Sequence, residues 1–396
     1  METNNMSVKN QNEFQSKNVL SVSFAHLMHD IYGAFLAPIL PLLIDKLGLN
    51  YFGAGVLSFS QRFPSLFNPF IGMFIDRVEV RYFVLFTPAI TAICMSLIGL
   101  APHFIFAMVL MLSMGVSSAF FHVPAPVMVK NFSGKLTGRG MSFYMVGGEL
   151  ARTLGPIAVI GAVSLWSLEG MYRLMPFGLA ASGFLWIRFK DVEIQRKSAK
   201  ENRGEGFKKT FKKHLNFFIL IAGIVFSRAF MKTAIIYFLP TYLDVRGESL
   251  WFGGMSLSVF EIAGVAGTFL AGNLSDRFGK VNTLLIVTLI TPLTMLLFIY
   301  TEGFWVLPVL VIMGFFILAT GPVLLALVMD QATEHQSFTN SIFMTINFLS
   351  ASLTSLIIGQ MGDWIGLIET YKVSAYIALL AIPFVIALYR KRKVLR

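Results

Sequence analysis

Polar residues in this chain are confined to short interruptions of a pattern that otherwise stays apolar for some twenty positions at a time. Twelve such runs are legible, at 18–43, 52–71, 82–101, 104–129, 140–163, 171–188, 217–243, 252–271, 281–300, 304–328, 338–358 and 370–389. A helix of about 20 residues, rising 1.5 Å per residue, crosses a hydrocarbon core of about 30 Å. The pattern therefore predicts twelve spanning helices. The first, fourth, seventh and tenth runs are longer and carry Gly, Pro and polar residues, which predicts bent or tilted helices there.

Composition narrows the class. Of 396 residues, 56% are hydrophobic and only 13% charged, with a mean hydropathy of +0.71. A soluble chain of this length needs more polar surface to cover itself. Residues 1–17 are polar and the first apolar run is already of full length, so no cleavable-signal pattern is expected. Cys94 is the single cysteine and can form no intrachain disulfide. The formal charge of +11 follows topology: 24 of the 32 Lys and Arg fall in one alternating set of loops and both ends. Only Lys46, Arg173, Arg246 and Lys372 occupy the opposite loops. The positive-inside rule then predicts both termini in the cytoplasm, and the basic charge needs no nucleic-acid partner. The expected surroundings are a lipid bilayer, here a plasma or inner membrane.

The chain repeats itself. "GMFIDRVEVR" (72–81) and "GNLSDRFGK" (272–280) match at one offset through Gly72 and Gly272, Asp76 and Asp276, and Arg77 and Arg277. Phe52-Gly53 and Leu57-Ser58 match Phe252-Gly253 and Leu257-Ser258 at the same offset. One residue out of register, Pro41 and Asp45 match Pro240 and Asp244. Two six-span halves of equal orientation follow, a parallel repeat about an axis along the membrane normal. The expected division is a tail (1–17), a six-helix bundle (18–188), a basic linker (189–214), a second bundle (215–389) and a basic tail (390–396).

The twice-written G-x-x-x-D-R turn resembles the loop motif of the major facilitator superfamily. The first copy departs from it at Glu79 and Val80. "HDIYGAFLAPILPLL" (29–43), "SSAFFHVPAP" (117–126) and "VGGELARTLGPI" (146–157) are similar to the fosmidomycin-resistance branch, proton-coupled exporters. The resemblance implies an all-α membrane protein of twelve helices in two pseudo-symmetric bundles, working by alternating access as a monomer. It also implies that the two loop copies act as gating turns. Glycine permits close helix approach, aspartate can cap the following helix, and arginine can pair with acids or helix C-termini and release on movement.

Ionisable groups within a span are costly and usually face a cavity or a partner. Asp30, Arg62, Glu149, Arg152, Arg228 and Glu261 all fall near mid-bilayer, and His26, His29, His122 and Lys232 are also intramembrane. His26, His29, Asp30 and Gly33 share one face by the i, i+3, i+4, i+7 rule. Arg228 and Lys232 lie one turn apart. The resemblance implies that helices 1, 4, 7 and 10 line the pathway and that 2, 5, 8 and 11 join the halves. It thereby places the first-helix stripe, His122, Arg228 and Lys232 on the pathway, with Arg62, Glu149, Arg152 and Glu261 at the interface or cavity wall.

Burial of Asp30 favours its neutral form, whereas protonated His26 or His29 favours the charged one, so the group is expected to bind protons as a coupled set. Glu149, His122 and Glu261 are further candidates for proton coupling, although Arg152 at i+3 from Glu149 is placed to hold it ionised. Arg228, Lys232, Arg62 and Arg152 outnumber the mid-span acids Asp30, Glu149 and Glu261 by one. That predicts a small anionic substrate, such as a phosphonate, bound by guanidinium and ammonium groups. "ARTLGP" on the fifth helix resembles the superfamily's antiporter motif in part, with Ala151 in place of a glycine and no trailing glycine pair. Helix 4 lacks the arginine common in drug exporters.

Other chemistry finds little footing. "SGKLT" (133–137) ends like a phosphate loop, but Val129 stands where its first glycine belongs and no strand precedes it. No Cys/His cluster has zinc spacing, and His26 with His29 is a weak metal pair, so neither metal nor cofactor is expected. No nucleophile or metal constellation supports an enzyme. A non-transporting sensor on the same fold would not require mid-bilayer charges. Symport, the uptake of an organic anion, remains the rival to export because the same groups serve both directions.

Overall fold

The computed structural model describes residues 13–68, 70–71, 80–134, 136–190, 192, 205–329 and 336–394. Among these residues the fold is entirely helical. The first sequence run becomes α1 (Ser16–Gly33) and α2 (Leu36–Leu47), and the second becomes α3 (Tyr51–Arg62) with a 3₁₀ turn, Phe63–Phe67. α4 is Val80–Leu97, α5 Phe104–His122, α6 Ala125–Ser133, α7 Thr137–Trp166 and α8 Met175–Phe189. The second half supplies α9 (Glu205–Val245), α10 (Leu250–Phe278), α11 (Lys280–Ile299) and α12 (Val306–Met329). It ends with α13 (Gln336–Leu379), which kinks at Gly366, and α14 (Ala381–Val394).

Nine helical stretches among the described residues are long and apolar enough to cross a membrane. The twelve sequence runs map onto them with two differences. Runs two and six contain 3₁₀ turns, Phe63–Phe67 and Glu169–Leu174, and are not among the nine, and runs eleven and twelve form one stretch that bends at Gly366. α9 begins at Glu205, so the last ten residues of the basic linker are helical.

The breaks in the first and fourth runs have chemical causes. Pro38, in the first turn of α2, has no N–H to close a bond onto Ala34, and Gly33 precedes the gap. The freed Gly33 carbonyl accepts from Gln61 Nε2 at 2.8 Å. Pro124 likewise has no N–H for Phe120, and α5 stops at His122. α9 and α12 instead stay continuous through Pro240 and Pro322. The Leu318 carbonyl opposite Pro322 accepts from Thr268 of α10 at 3.4 Å.

The repeat is visible in backbone hydrogen bonds. After α2, Gly48 takes φ +59° and Leu49 N donates to Ile44 O at 2.9 Å. After α9, Gly247 takes φ +82° and Glu248 N donates to Leu243 O at 3.0 Å. Both are the same glycine-terminated helix end, and each is followed by a capped helix. Asn50 accepts from Gly53 N, and Ser249 accepts from Phe252 N.

The chain forms two compact units, residues 1–43 with 60–199, and 44–59 with 200–396. In the first, α1 packs chiefly on α7, and α4 on α5 and α8. Its core gathers Val22, Leu85, Phe121, Met128 and Phe189. In the second, α10 packs on α12 and α9 on α13, around Ile224, Leu284, Val323 and Val385. Lipid is as apolar as leucine, so van der Waals fit and hydrogen bonds hold such helices together. Small residues supply the fit. A Cβ on Gly155 of α7 would stand 2.7 Å from Ala34 Cβ, and one on Gly359 of α13 would stand 2.4 Å from Tyr51 O.

Candidate functional site

The first unit collects the histidines and Asp30 at the two helix breaks. Asp30 occupies the last turn of α1, and His122 is the final residue of α5. Asp30 Oδ2 lies 3.2 Å from His26 Nε2, and Asp30 Oδ1 lies 3.2 Å from His122 Nε2. The Asp30 side chain is 20% exposed, His26 7% and His122 37%, so the cluster is buried on one side and reachable on the other.

Hydrogen-bond polarity decides what this cluster holds. His26 Nδ1 lies 2.7 Å from the carbonyl oxygen of Tyr144, on α7. A carbonyl only accepts, so Nδ1 carries a hydrogen and donates it. The His26 ring stacks on Tyr144 at 4.0 Å and 16°, which fixes its plane. Its Nε2 then faces Asp30 Oδ2. In a neutral His26 beside an ionised Asp30, that contact would set one lone pair against another. One proton resolves it, either on Nε2 as an imidazolium or on the carboxyl oxygen. His122 Nε2, 3.2 Å from Asp30 Oδ1, is placed to donate to it. The described geometry therefore has room for one hydrogen between His26 Nε2 and Asp30 Oδ2.

His29 points elsewhere. It is fully buried, its ring is stacked on Phe121 at 4.5 Å, and its Nδ1 lies 3.1 Å from the Thr91 hydroxyl on α4. Glu149 and Arg152 form an ion pair with each other along α7, as their spacing predicts. Glu149 is the more buried partner. Arg62 ends α3 and is half-buried.

In the second unit Arg228 of α9 is buried to 7% exposure. Its guanidinium donates to Thr291 at 3.1 Å and Thr288 at 3.4 Å, both on α11, and to Thr320 on α12. No carboxylate among the described residues lies within ion-pair distance of it. A buried cation held only by hydroxyl oxygens lacks the counter-charge that normally offsets desolvation. Lys232 is exposed and Glu261 is buried on α10. Gly72, Asp76 and Arg77 lie outside the described residues. Gly272 and Asp276 belong to α10, and Arg277 is exposed at its end, just before Gly279 at φ +86°.

Several contributors lay beyond sequence reasoning. The Tyr144 carbonyl carries no residue-type signal at all. Thr288 and Thr291, at i and i+3 in an apolar run, were a legible polar stripe. His26, Asp30 and His122 bring one ligating atom each within 4.8 Å of one another, a closer gathering than His26 with His29 predicts. A single proton completes its hydrogen bonds.

Among the described residues the chain is helical and multi-pass, with ionisable groups gathered at broken helices, as a transport pathway requires. The sequence profile of the Major Facilitator Superfamily matches residues 22–355 and 252–395, and the chain belongs to that family. It is an integral membrane transporter of small molecules and not an enzyme. It is 23% identical over 369 residues to the fosmidomycin resistance protein of Escherichia coli (strain K12), covering 91% of this chain and 90% of that one. Among solved structures it resembles a bacterial homolog to the human lysosomal transporter Spinster, in an inward-facing and unoccupied conformation. The TM-score is 0.79 at 15% identity, over 95% of this chain and 97% of that one. The nucleoside transporter NupG gives 0.77 at 13% identity, over 92% and 98%.

Proposed function

We propose that this transporter exports a small amphiphilic organic anion, such as a phosphonate, in exchange for protons, and that it acts as a monomer. Both termini are placed in the cytoplasm of a bacterial inner membrane, in keeping with the Lys/Arg asymmetry. The observation that carries the reading is the His26–Asp30 contact. Its hydrogen-bond polarity supports a proton shared between His26 Nε2 and Asp30 Oδ2, beside a helix break. Movement of the α5 end or of α1 separates Asp30 from His122 or His26 and changes how tightly that proton is held. Glu149 is paired with Arg152 and ranks below Asp30 as carrier, and Glu261 stays a secondary candidate.

Arg228 is assigned to the anion, with Lys232, Arg62 and Arg152 as further cationic groups. Similarity to a protein named for fosmidomycin resistance supports export and an acidic cargo. The loop residues Gly72, Asp76, Arg77, Gly272, Asp276 and Arg277 are assigned to latching of the two end states. Purified protein in liposomes under an imposed pH gradient tests the reading. Gradient-driven movement of small phosphonates or carboxylates is expected. Exclusive transport of cations, or transport indifferent to the gradient, contradicts it.

A further inference from the structure

Two imidazoles face one carboxylate in the first unit, and each presents the same nitrogen. His26 Nε2 and His122 Nε2 lie 3.2 Å from the two oxygens of Asp30, and one atom from each residue lies within 4.8 Å of the others. Ligand atoms held at about 2.0–2.2 Å from a tetrahedral ion stand roughly 3.3 Å apart. The nitrogen-to-oxygen spacings are therefore already those of a coordination shell. Among the described residues the ion-pair partners of Asp30 are these two histidines, so no Lys or Arg occupies its carboxylate.

The surroundings prepare the ligands. A metal-bound imidazole donates its other ring N–H to a carbonyl or carboxylate, which fixes its tautomer and its plane. His26 Nδ1 meets that requirement at the Tyr144 carbonyl, 2.7 Å away, and the stacked Tyr144 ring sets the plane. Gly148 keeps side-chain atoms off the ligating nitrogen, since a Cβ there would stand 2.7 Å from His26 Nε2. His122 ends α5 and is 37% exposed, so its ring has room to turn and close the remaining distance. Two imidazoles with one carboxylate suit a late first-row divalent cation, whereas Mg²⁺ and Ca²⁺ prefer oxygen alone.

We propose that His26, Asp30 and His122 form a three-ligand site for one late first-row divalent cation, of the Zn²⁺, Co²⁺ or Ni²⁺ class, which clamps the end of α5 onto α1. As the ion enters, the hydrogen between His26 and Asp30 leaves to water, and His122 shifts its hydrogen from Nε2 to Nδ1. Every ligand atom then offers a lone pair, and a water molecule takes the fourth position on the exposed side. His29 takes no part, because its Nδ1 faces Thr91 and its ring stacks on Phe121. An ion held by both helices blocks the separation of Asp30 from His122, so filling the site arrests transport. The arrest rests on the proton-coupled reading above; binding does not.

Co²⁺ absorption tests the site on purified protein free of added histidines. Co²⁺ should bind once per chain with the visible bands of a four-coordinate ion, and Zn²⁺ should displace it. Asp30→Asn and His122→Gln should each weaken binding by no less than the roughly 10–100-fold that loss of an outer-shell partner costs. His214→Gln, a histidine of α9, should bind as wild type. Thermal unfolding gives a second reading: Zn²⁺ should raise the unfolding temperature of the wild type and leave that of His122→Gln unchanged. Absence of the bands, or wild-type affinity in both ligand variants, overturns the site. In liposomes, gradient-driven movement of a small phosphonate should stop at Zn²⁺ concentrations that fill the site, and transport that continues there overturns the clamp. Protein that binds Co²⁺ through these residues yet moves no phosphonate under a gradient counts against the proton-coupled function and not against the site.

Discussion

Gly148 lies against the ring of His26: a Cβ placed on it would stand 2.5 Å from Cε1 and 2.7 Å from Nε2. The absence of a side chain at one position of α7 thus gives the imidazole its place between Tyr144 and Asp30. Gly148→Ala should push the ring off the Tyr144 carbonyl and break the Asp30 contact. Proton-coupled transport is expected to fall at least about tenfold, a loss of roughly 1.4 kcal/mol in the coupled step. Gly155→Ala is the control, because its new methyl group would meet Ala34 and the Ile31 carbonyl. It should lower thermal stability by about 1–3 kcal/mol, the usual range for overpacking, and leave the pH dependence of transport unchanged. Similar pH profiles in the two variants would show that Gly148 only packs helices.

Asp363 of α13 caps α3 across more than three hundred residues of sequence. Its two carboxylate oxygens accept from Tyr51 N at 2.7 Å and Phe52 N at 2.9 Å. The first amides of a helix have no partner within it, and a carboxylate there also faces the positive end of the helix dipole. Asp363→Ala should destabilise the purified protein by about 1 kcal/mol, and Asp363→Asn, which retains one acceptor oxygen, by less. Thermal unfolding in detergent reads the order. An alanine variant as stable as wild type removes the cap from the account.

Arg228 is expected to bind the anion, and its threonine partners to aim it. Arg228→Gln should abolish the thermal stabilisation that a transported phosphonate gives the wild type. Thr291→Val, which removes one hydrogen bond to the guanidinium, should weaken apparent affinity roughly tenfold. Retained affinity in both variants moves the anion site elsewhere.

Much of the fold was legible because a bilayer imposes a length and a hydropathy on each helix, and the duplicated turn gave the repeat. The predicted bends in the first and fourth runs appear as breaks, traceable to Gly33 with Pro38 and to Pro124. The second and sixth runs contain 3₁₀ turns, Phe63–Phe67 and Glu169–Leu174, that their continuous apolar pattern does not mark. At the site, helical spacing put His26 one turn from Asp30, which it contacts, while His29 turns instead to Thr91. What spacing could not supply was partner identity across helices. His122 joins Asp30, yet Glu149 turns to Arg152 on its own helix. His26 is fixed by a backbone carbonyl that any residue at position 144 would offer. Arg228 and Lys232, one turn apart, differ sharply in burial because Arg228 finds threonines on α11 and α12.

The central claim is that Asp30 carries the coupled proton, and Asp30→Asn in liposomes tests it most directly. Asparagine keeps the shape and a hydrogen-bonding oxygen for His122 but binds no proton. Two modes of transport should be measured on the same vesicles: substrate accumulation driven by a pH gradient, and substrate counterflow without one. The account predicts that accumulation is abolished and counterflow persists, because substrate binding and alternating access do not need the carboxyl proton. Asp30→Asn protein that still concentrates substrate with the wild-type pH dependence would contradict it, and Asp30 would then serve only to hold α1 against the end of α5.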